Sequence, residues 1–352
     1  MSADVRFMKG NEAIAEAAIR AGLQGYFGYP ITPQSEIVEY LAIEEPKHDY
    51  VLLQAESEVA SANMVYGGAA AGARVMTSTS SPGFSLMQEG VSYIACAQLP
   101  CLFVNVARGG PGLGTIQASQ GDYFQAVKGG GHGDYRLIVL APNSVQEMVD
   151  YCILGFELAD QYRTPALVLT DGSIGQMMEK VVLPPPIAYK PNKPWATTGK
   201  PQDRERNAIT SLYIESEEME AVNNELQAKY KAISENEVRY EGYNLDDAEV
   251  VLVAYGVTSR VCRKVVDLGR DNGMKVGLLR PQTLWPYPTA AISELADESR
   301  VKLFMSVEMS AGQMVEDVRL AVEGRKPVHF YGRTGGIIPT PEEIINAIKA
   351  QL

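Results

Sequence analysis

The stretch RVMTSTSSPGF, residues 74–84, contains the strand-to-helix pattern that decides the fold. Its first part, 74–80, predicts a strand. Ser81 and Pro82 follow at once, and a serine cap with proline at the first helical position is typical of the start of a helix. A strand that leads directly into a helix is the repeating unit of a parallel α/β sheet.

The same alternation extends over the first half of the chain. Apolar strand candidates lie at 25–29, 51–54, 102–106, 137–140 and 166–170, and helical patterns lie at 12–23, 58–73 and 144–158. We expect a polar turn around Lys9, a buried strand at 51–54, a helix capped by Thr32 with Pro33 in its first turn, and another helix capped by Ser144. Strands alternating with helices predict a parallel sheet covered by helices on both faces.

A change of composition divides the chain. Residues 184–186 are three consecutive prolines, and a charged stretch with helical spacing follows at 215–231. Strand and helix patterns resume at residue 249. We therefore predict a first domain at 1–185, a linker with a charged helix at 186–245, and a second α/β domain at 246–352.

Composition excludes several classes of protein. The 352 residues include 31 basic and 43 acidic side chains, and the resulting net charge of −12 makes nucleic acid an unfavourable partner. No apolar run is long enough to span a bilayer as a helix, and the first residues lack the pattern of a signal peptide. The sequence therefore predicts a cytoplasmic enzyme that does not bind membranes.

Metal-binding patterns are also missing from the sequence. An iron–sulfur cluster needs about four closely spaced thiolates, whereas the four cysteines include no C-x-x-C pair. Only three histidines are present, and we expect His132, which lies among glycines, to have a structural or loop-contact role. We predict no metal site made by this chain. The cysteines are Cys96, Cys101, Cys152 and Cys262, and the other histidines are His48 and His329.

Two candidate functional residues follow the first strands of the predicted sheet, where ligand crevices form in such folds. Thr32 has two interpretations. It is either an ordinary helix N-cap, or its hydroxyl lies with the free backbone N–H groups of a helix N-terminus and they attract a carboxylate together. Glu58 begins a helix of small residues, which predicts that its side chain is buried. A buried carboxylate can share a proton with a ligand nitrogen, whereas an exposed one would only complement the helix dipole, and the pattern leaves both interpretations open.

A third candidate is Arg108, which ends the strand at 102–106 and precedes a glycine-rich loop. Its planar guanidinium can bind a carboxylate through two hydrogen bonds. The loop lacks the spacing of a phosphate-binding fingerprint and is interrupted by Pro111, so a nucleotide-dependent oxidoreductase has little support.

The sequence resembles the alpha subunit of the 2-oxoacid:ferredoxin oxidoreductases at short motifs whose order and spacing match along nearly the whole chain. Within this family it is most similar to the subunit type that acts on 2-oxoisovalerate (3-methyl-2-oxobutanoate), and the 2-oxoglutarate enzyme is the alternative. The motifs lie at 28–33, 54–58, 79–84, 108–111, 119–122, 279–286 and 308–314.

The resemblance implies a fold and a role for each candidate residue. Residues 1–185 would form the pyrimidine-binding domain of thiamine-diphosphate enzymes, and 246–352 would form a transketolase C-terminal-like domain. Glu58 matches the catalytic glutamate that hydrogen-bonds the aminopyrimidine of thiamine diphosphate. Thr32 and Arg108 match positions that contact the oxoacid substrate.

The resemblance also implies partner subunits. Thiamine enzymes bind the diphosphate and Mg²⁺ through a Gly-Asp-Gly motif, and this chain has only near misses at 121–123, 133–135 and 171–172. A beta subunit would therefore bind the diphosphate and Mg²⁺, and gamma and ferredoxin-like delta subunits would complete the complex, with the iron–sulfur clusters in partner subunits. The expected reaction of this anaerobic enzyme is CoA-dependent oxidative decarboxylation of a 2-oxoacid to acyl-CoA and CO2, with electrons passed to ferredoxin. A non-catalytic scaffold subunit is the alternative.

Overall fold

The computed structural model describes residues 4–200 and 202–352. The strands in these residues are β1 (Asp4–Lys9), β2 (Gly25–Gly28), β3 (Val51–Gln54), β4 (Val75–Thr79), β5 (Cys101–Ala107), β6 (Ile138–Leu140), β7 (Pro165–Asp171), β8 (Met178–Leu183), β9 (Tyr240–Tyr243), β10 (Val250–Val253), β11 (Val276–Pro281), β12 (Thr283–Trp285), β13 (Leu303–Glu308) and β14 (Val328–Gly332). The α-helices are α1 (Gly10–Arg20), α2 (Ser35–Glu44), α3 (Glu58–Ala70), α4 (Ser81–Cys96), α5 (Tyr123–Val127), α6 (Val145–Tyr162), α7 (Gly172–Gln176), α8 (Ser216–Asn236), α9 (Gly256–Asp271), α10 (Thr289–Asp297), α11 (Met314–Val322) and α12 (Pro341–Lys349). None of these helices is both long and apolar enough to cross a bilayer.

The larger sheet has the strand order β12-β6-β7-β5-β4-β2-β3, and its neighbours are parallel except for β12, which runs antiparallel to β6. Every residue of β5 and β7 is buried. Leu102 and Val104 pack in the core that contains α1 and α6, whereas Cys101 and Phe103 pack in the core that contains α3 and α4. Helices therefore cover both faces of a largely parallel sheet, and the predicted fold class is confirmed.

The smaller sheet has the order β14-β13-β10-β11-β9, with only β9 antiparallel to its neighbour. Helices α9 and α12 contribute Val265, Val266 and Ile344 to the core on one of its faces. The chain then returns to the larger sheet, because β12 follows β11 directly but pairs with β6. The domain boundaries at residues 185 and 245 stay a prediction.

Strand β3 forms at the predicted residues, but its side chains are more exposed than we expected. It is the edge strand of the larger sheet and pairs only with β2. Val51 is 57% exposed and Leu53 is 41% exposed, so the prediction of a buried strand at 51–54 is wrong. The physical reason is that no further strand or helix of the described residues covers these side chains.

The N-terminal segment also differs from the prediction. A polar turn was expected around Lys9, but residues 4–9 form β1, which pairs antiparallel with β8 from Asp4 opposite Leu183 to Lys9 opposite Met178. The buried side chains of Met8 and Val181 on one face of this ribbon explain the pairing. It joins segments about half the chain apart, so no local pattern could predict it.

A buried ion pair connects the two sheets. Arg280, at the end of β11, donates hydrogen bonds from Nη1 and Nη2 to the two carboxylate oxygens of Glu147 in α6, at 2.8 and 2.7 Å. The Nε atom of the same guanidinium lies 2.9 Å from Oε2 of Glu241. Since the Arg280 side chain is only 3% exposed, loss of either carboxylate would leave a buried charge less well paired. The pair therefore helps to hold the second sheet against the first.

Asp171 ends β7 and caps α7 with hydrogen bonds from the backbone N–H groups of Ser173 (2.8 Å) and Ile174 (3.1 Å). Burial of the side chain raises the pKa of Asp171 to about 6 despite these hydrogen bonds. Because this folded-state pKa lies above the ordinary value of 3.8, the folded chain keeps a proton that the unfolded chain releases. The stabilisation by this proton is complete at pH values below the pKa of Asp171 in the unfolded chain. It is lost as the pH rises through the pKa of Asp171 in the folded chain.

We expect Asp171→Asn to remove this pH dependence, because asparagine keeps an accepting oxygen but cannot ionise. Between about pH 4 and pH 7 the free energy of unfolding of the wild type should fall by on the order of 2 kcal/mol more than that of the variant. Urea unfolding followed by the fluorescence of Trp195 and Trp285 measures the difference. Parallel pH profiles for the two proteins would contradict the assignment.

Candidate active site

The first turn of α4 contacts two other segments that follow strands of the larger sheet. Its residue Ser81 contacts the backbone of Arg108 after β5, and its residue Gly83 adjoins Glu58 at the start of α3. All three segments lie at the carboxyl ends of parallel strands, where crevices form in such sheets. The structure thus brings Glu58 and Arg108 to opposite sides of one helical turn.

Glu58 is the first residue of α3, and the preceding Ser57 caps this helix by accepting a hydrogen bond from the backbone N–H of Ala60 at 3.2 Å. Residue Glu58 is only 5% exposed, which confirms the prediction that it is buried. Among the described residues, its carboxylate has neither a hydrogen-bond donor nor a cation as a partner. A buried carboxylate in this state has unused capacity to bind a donor from outside the chain.

Gly83 provides the space that the Glu58 carboxylate occupies. A Cβ atom at position 83 would lie 2.6 Å from Glu58 Oε1 and would collide with Thr79 Oγ1. Any larger residue would therefore have to displace the carboxylate. This contact explains why a glycine follows Ser81 and Pro82 at the helix start, a position where glycine has no advantage in helix propensity.

Thr32 does not cap a helix. Helix α2 begins at Ser35 with Gln34 as the preceding residue, and the peptide bond between Thr32 and Pro33 is cis. The backbone forms a turn in which the Gln34 N–H donates to the carbonyl oxygen of Ile31 at 3.1 Å. The predicted N-cap role is wrong, because this turn ends before the helix begins. Thr32 is exposed and directs its carbonyl oxygen to Arg108.

Arg108 links two loops at the edge of the site. Its Nη1 donates to the carbonyl oxygen of Thr32 at 2.8 Å, and its Nη2 donates to the carbonyl oxygen of Leu113 at 3.0 Å. The buried Nε has no hydrogen-bond partner, and no carboxylate of the described residues lies within ion-pair distance of the guanidinium. The group therefore keeps both its charge and free N–H donors for an anion.

Sequence reasoning missed a polar network below Arg108. The Ser81 hydroxyl donates to Asp122 Oδ2 at 2.5 Å and accepts from the backbone N–H of Arg108 at 2.9 Å. Asn105 donates to the same Asp122 oxygen at 2.8 Å. Burial raises the pKa of Asp122, and the hydrogen bonds from Ser81 and Asn105 oppose this rise. The available signals were the motif at 119–122 and the near miss of a Gly-Asp-Gly motif at 121–123, and neither gave Asp122 this role.

A cleft of about 460 Å³ opens beside this network, between the loops of the larger sheet and residues that follow β13 and β14. The lining includes Ser81, Arg108, Gly110, Pro111, Gly112, Asp122, Ser310, Gln313 and Thr334. Glu308 shapes the wall from the second sheet, because its carboxylate accepts hydrogen bonds from the backbone N–H groups of Gln313 (2.9 Å), Met314 (3.0 Å) and Val315 (2.9 Å). The cleft therefore depends on both halves of the chain.

The other titratable groups do not form a second site. In residues 4–200 and 202–352, no group of three or more His, Cys, Asp and Glu side chains could hold a metal ion. Cys101, Cys152 and Cys262 are buried, and this burial raises the pKa of each thiol. His132 is exposed in its glycine-rich loop.

Two family models match the chain. The first is described as pyruvate flavodoxin/ferredoxin oxidoreductase, thiamine diP-binding, and matches residues 16–242, which is more than half of the chain. The second is described as pyruvate:ferredoxin oxidoreductase core domain II and matches residues 248–344.

Curated relatives match along almost the full length. The ketoisovalerate oxidoreductase subunits VorB of Methanothermobacter marburgensis and Methanothermobacter thermautotrophicus are each 50% identical over 98% of this chain and 97% of their own length. The 2-oxoglutarate synthase subunit KorA of Methanothermobacter marburgensis is 37% identical over 97% of this chain and 98% of its own length.

Solved structures give the same result for the fold. A 2-oxoglutarate:ferredoxin oxidoreductase from Magnetococcus marinus, with 2-oxoglutarate, coenzyme A and succinyl-CoA bound, matches with a TM-score of 0.86 at 29% identity. This match covers 99% of the present chain but 65% of that longer chain. An inactive tetramer of a split-gene transketolase matches with a TM-score of 0.60 at 12% identity over 97% of both chains, which shows a shared fold alone.

These matches confirm the resemblance inferred from the motifs and the thiamine-enzyme fold that it implied. Relatives described as subunits also indicate that the chain works within a multi-subunit oxidoreductase. The chain belongs to the pyruvate flavodoxin/ferredoxin oxidoreductase family, in which it is an alpha-type subunit of a 2-oxoacid:ferredoxin oxidoreductase.

Proposed function

We propose that this chain supplies one half of an active site that a beta subunit completes. The assembled enzyme converts a branched-chain 2-oxoacid and CoA to an acyl-CoA and CO2, and it passes the released electrons to ferredoxin. The observation that carries this proposal is the Glu58 carboxylate, which is buried next to Gly83 without a partner in the described residues. A carboxylate in that state can accept a hydrogen bond from a donor outside the chain.

Glu58 fits the aminopyrimidine end of thiamine diphosphate. When bound, this cofactor supplies the electron sink that allows a 2-oxoacid to lose CO2. The Glu58 carboxylate would hold a proton against a ring nitrogen of the aminopyrimidine, and Gly83 leaves the space for this carboxylate to stay in place. Glu58 is only 5% exposed, which limits competition from water for the proton, and the beta subunit would exclude the water that remains.

Arg108 fits the carboxylate of the 2-oxoacid, and we propose that Thr32, whose carbonyl oxygen accepts from Arg108, contacts the substrate beside it. The guanidinium is free of carboxylate partners among the described residues, and it is fixed by the carbonyl oxygens of Thr32 and Leu113. The Ser81 hydroxyl holds the Arg108 backbone from below, with Asp122 as its acceptor. A substrate carboxylate held here has a fixed orientation, which decarboxylation requires.

The beta subunit would cover the face of the chain around Glu58. Exposed apolar side chains lie on the edge strand β3 and on α3, among them Val51, Leu53 and Val59. Such exposed apolar groups are typical of a subunit interface. We assign the diphosphate and Mg²⁺ to that subunit, since this chain has no Gly-Asp-Gly motif, and the iron–sulfur clusters to partner subunits of gamma and ferredoxin-like delta type.

The names of the relatives support 2-oxoisovalerate (3-methyl-2-oxobutanoate) as the substrate. Identity is 50% to the ketoisovalerate subunits and 37% to a 2-oxoglutarate subunit, over nearly the same length of chain. We further propose the division into domains at 1–185 and 246–352 around a linker at 186–245. A cytoplasmic location remains part of the proposal.

Glu58→Gln tests the catalytic role directly. In the assembled complex this change should lower kcat by at least about a hundredfold, because glutamine cannot exchange a proton. The matched control is Glu56→Gln, which removes an exposed carboxylate two residues away and should leave kcat within about twofold. Assembly is checked by native mass measurement. Near-normal turnover of an intact Glu58→Gln complex would remove Glu58 from the mechanism and favour a non-catalytic scaffold.

Gly83→Ala tests the space that holds the carboxylate. The added methyl group should push the Glu58 carboxylate away and lower kcat by more than about tenfold, while the free energy of unfolding falls by about 1 kcal/mol. Gly67→Ala is the control, since a Cβ atom there meets nothing within 4 Å, and this variant should keep its kcat and gain up to about 0.5–1 kcal/mol of stability. Unchanged kcat in Gly83→Ala would show that this contact does not position Glu58.

A further inference from the structure

We propose that Gln313, in the loop after β13, is a positioning residue through which the second sheet holds Arg108 in place for the 2-oxoacid. Gln313 belongs to the motif at 308–314, and the residue pattern of this motif assigns it no role. The inference rests on the proposed function, in which Arg108 binds the substrate carboxylate. It gives the second sheet a part in substrate binding beyond forming one wall of the cleft.

A buried carboxylate fixes the loop that contains Gln313. Glu308, at the end of β13, is fully buried and accepts hydrogen bonds from the hydroxyls of Ser306 (2.9 Å) and Ser310 (2.8 Å). It also accepts from the backbone N–H of Gln313 at 2.9 Å. A carboxylate with this many donors has its hydrogen-bonding capacity used within the chain. Glu308 therefore has a structural role, and it sets the position of the Gln313 backbone.

The Gln313 side chain crosses from this loop to the start of α5. Its Nε2 donates to the carbonyl oxygen of Gly121 at 2.7 Å, and its Oε1 accepts from the backbone N–H of Phe124 at 2.7 Å. These two backbone groups lie on either side of Asp122 in the sequence. A single amide thus uses both its donor and its acceptor to fix the backbone that contains Asp122.

A second amide fixes the same segment from the other direction. The backbone N–H of Gln120 donates to the carbonyl oxygen of Met309 at 2.9 Å, and Gln120 Oε1 accepts from the backbone N–H of Met309 at 2.9 Å. Gln120 Nε2 donates to the carbonyl oxygen of Tyr255 at 2.8 Å. Since Met309 and Tyr255 follow strands β13 and β10, Asp122 lies between two attachments to the second sheet.

Asp122 transmits this placement to Arg108 through one hydroxyl group. Ser81 has a single hydroxyl proton, which it donates to Asp122 Oδ2 at 2.5 Å, and its oxygen accepts from the backbone N–H of Arg108 at 2.9 Å. If Asp122 moved away, the hydroxyl could instead donate to the carbonyl oxygen of Arg108, which is 3.2 Å away. The placement of Asp122 therefore determines how Ser81 holds the Arg108 backbone.

Gln313→Met tests this route in the assembled complex, because methionine has a similar size but makes neither hydrogen bond. We expect the KM for 3-methyl-2-oxobutanoate to rise about tenfold while kcat stays within about threefold, since the substrate carboxylate is bound less firmly in the ground state and the transition state alike. Ser81→Ala should raise the same KM by a similar factor. An unchanged KM in Ser81→Ala would break the route, even if Gln313→Met failed to assemble in native mass measurements.

The double variant separates this route from a direct contact, since Gln313 also lines the cleft. If Gln313 acts through Ser81, the KM of Ser81→Ala/Gln313→Met should lie within about twofold of the KM of Ser81→Ala alone. A KM that rises by the product of the two single effects would overturn the inference, because Gln313 would then act on the substrate independently of Ser81.

Gln125→Met is the matched control. Gln125 also links α5 to α4, because its Nε2 donates to Ser85 Oγ at 2.9 Å, but this contact does not involve Asp122. The control should keep both KM and kcat within about twofold of the wild type. An active wild-type complex whose KM is unchanged in Gln313→Met would overturn this inference alone, as would a variant that loses only stability towards urea. A wild-type complex that oxidises no 2-oxoacid would overturn the proposed function as well.

Discussion

The site depends on the contacts made by the first turn of α4. Ser81 fixes the backbone of Arg108 on one side of this turn, and Gly83 leaves space for the Glu58 carboxylate on the other. Because the turn follows directly on the buried strand β4, its position is set by the packing of the larger sheet. The Arg108 guanidinium and the Glu58 carboxylate, which we propose to bind the substrate and to exchange a proton, thereby lie on either side of one helical turn, and accurate positioning requires such fixed placement.

Much of the remaining structure supports this turn or leaves room for a partner. Arg280 attaches the second sheet to α6, and Glu308 fixes the loop after β13 that forms a wall of the cleft. Elsewhere on the larger sheet, Val51 and Leu53 of the edge strand β3 and Val59 of α3 remain exposed, and the Glu58 carboxylate has no partner among the described residues. Exposed apolar side chains of this kind are typical of a surface that another subunit covers.

Local sequence patterns predicted the strands and helices of the sheets well, since each strand is a short apolar run and each following helix has its own start signal. Ser144 caps α6 as expected, with its hydroxyl accepting from the backbone N–H of Glu147 at 3.1 Å. The errors at 51–54 and at Lys9 share one cause, because each depends on what lies next to the residue in space, namely the uncovered sheet edge and the distant strand β8. The error at Thr32 is local, since a turn from Ile31 to Gln34 precedes the helix.

The sequence by itself determined the fold class, the family and the identity of Glu58, Thr32 and Arg108 as candidates, because these follow from periodicity and from motifs that are local in the chain. Only the tertiary structure decided that Asp122 supports Arg108 through Ser81, that Gly83 accommodates Glu58, and that Leu113 lies beside the guanidinium. The physical reason is that hydrogen bonds and close contacts act over a few ångströms in space. Residues that are distant along the chain become neighbours only when the sheet has assembled.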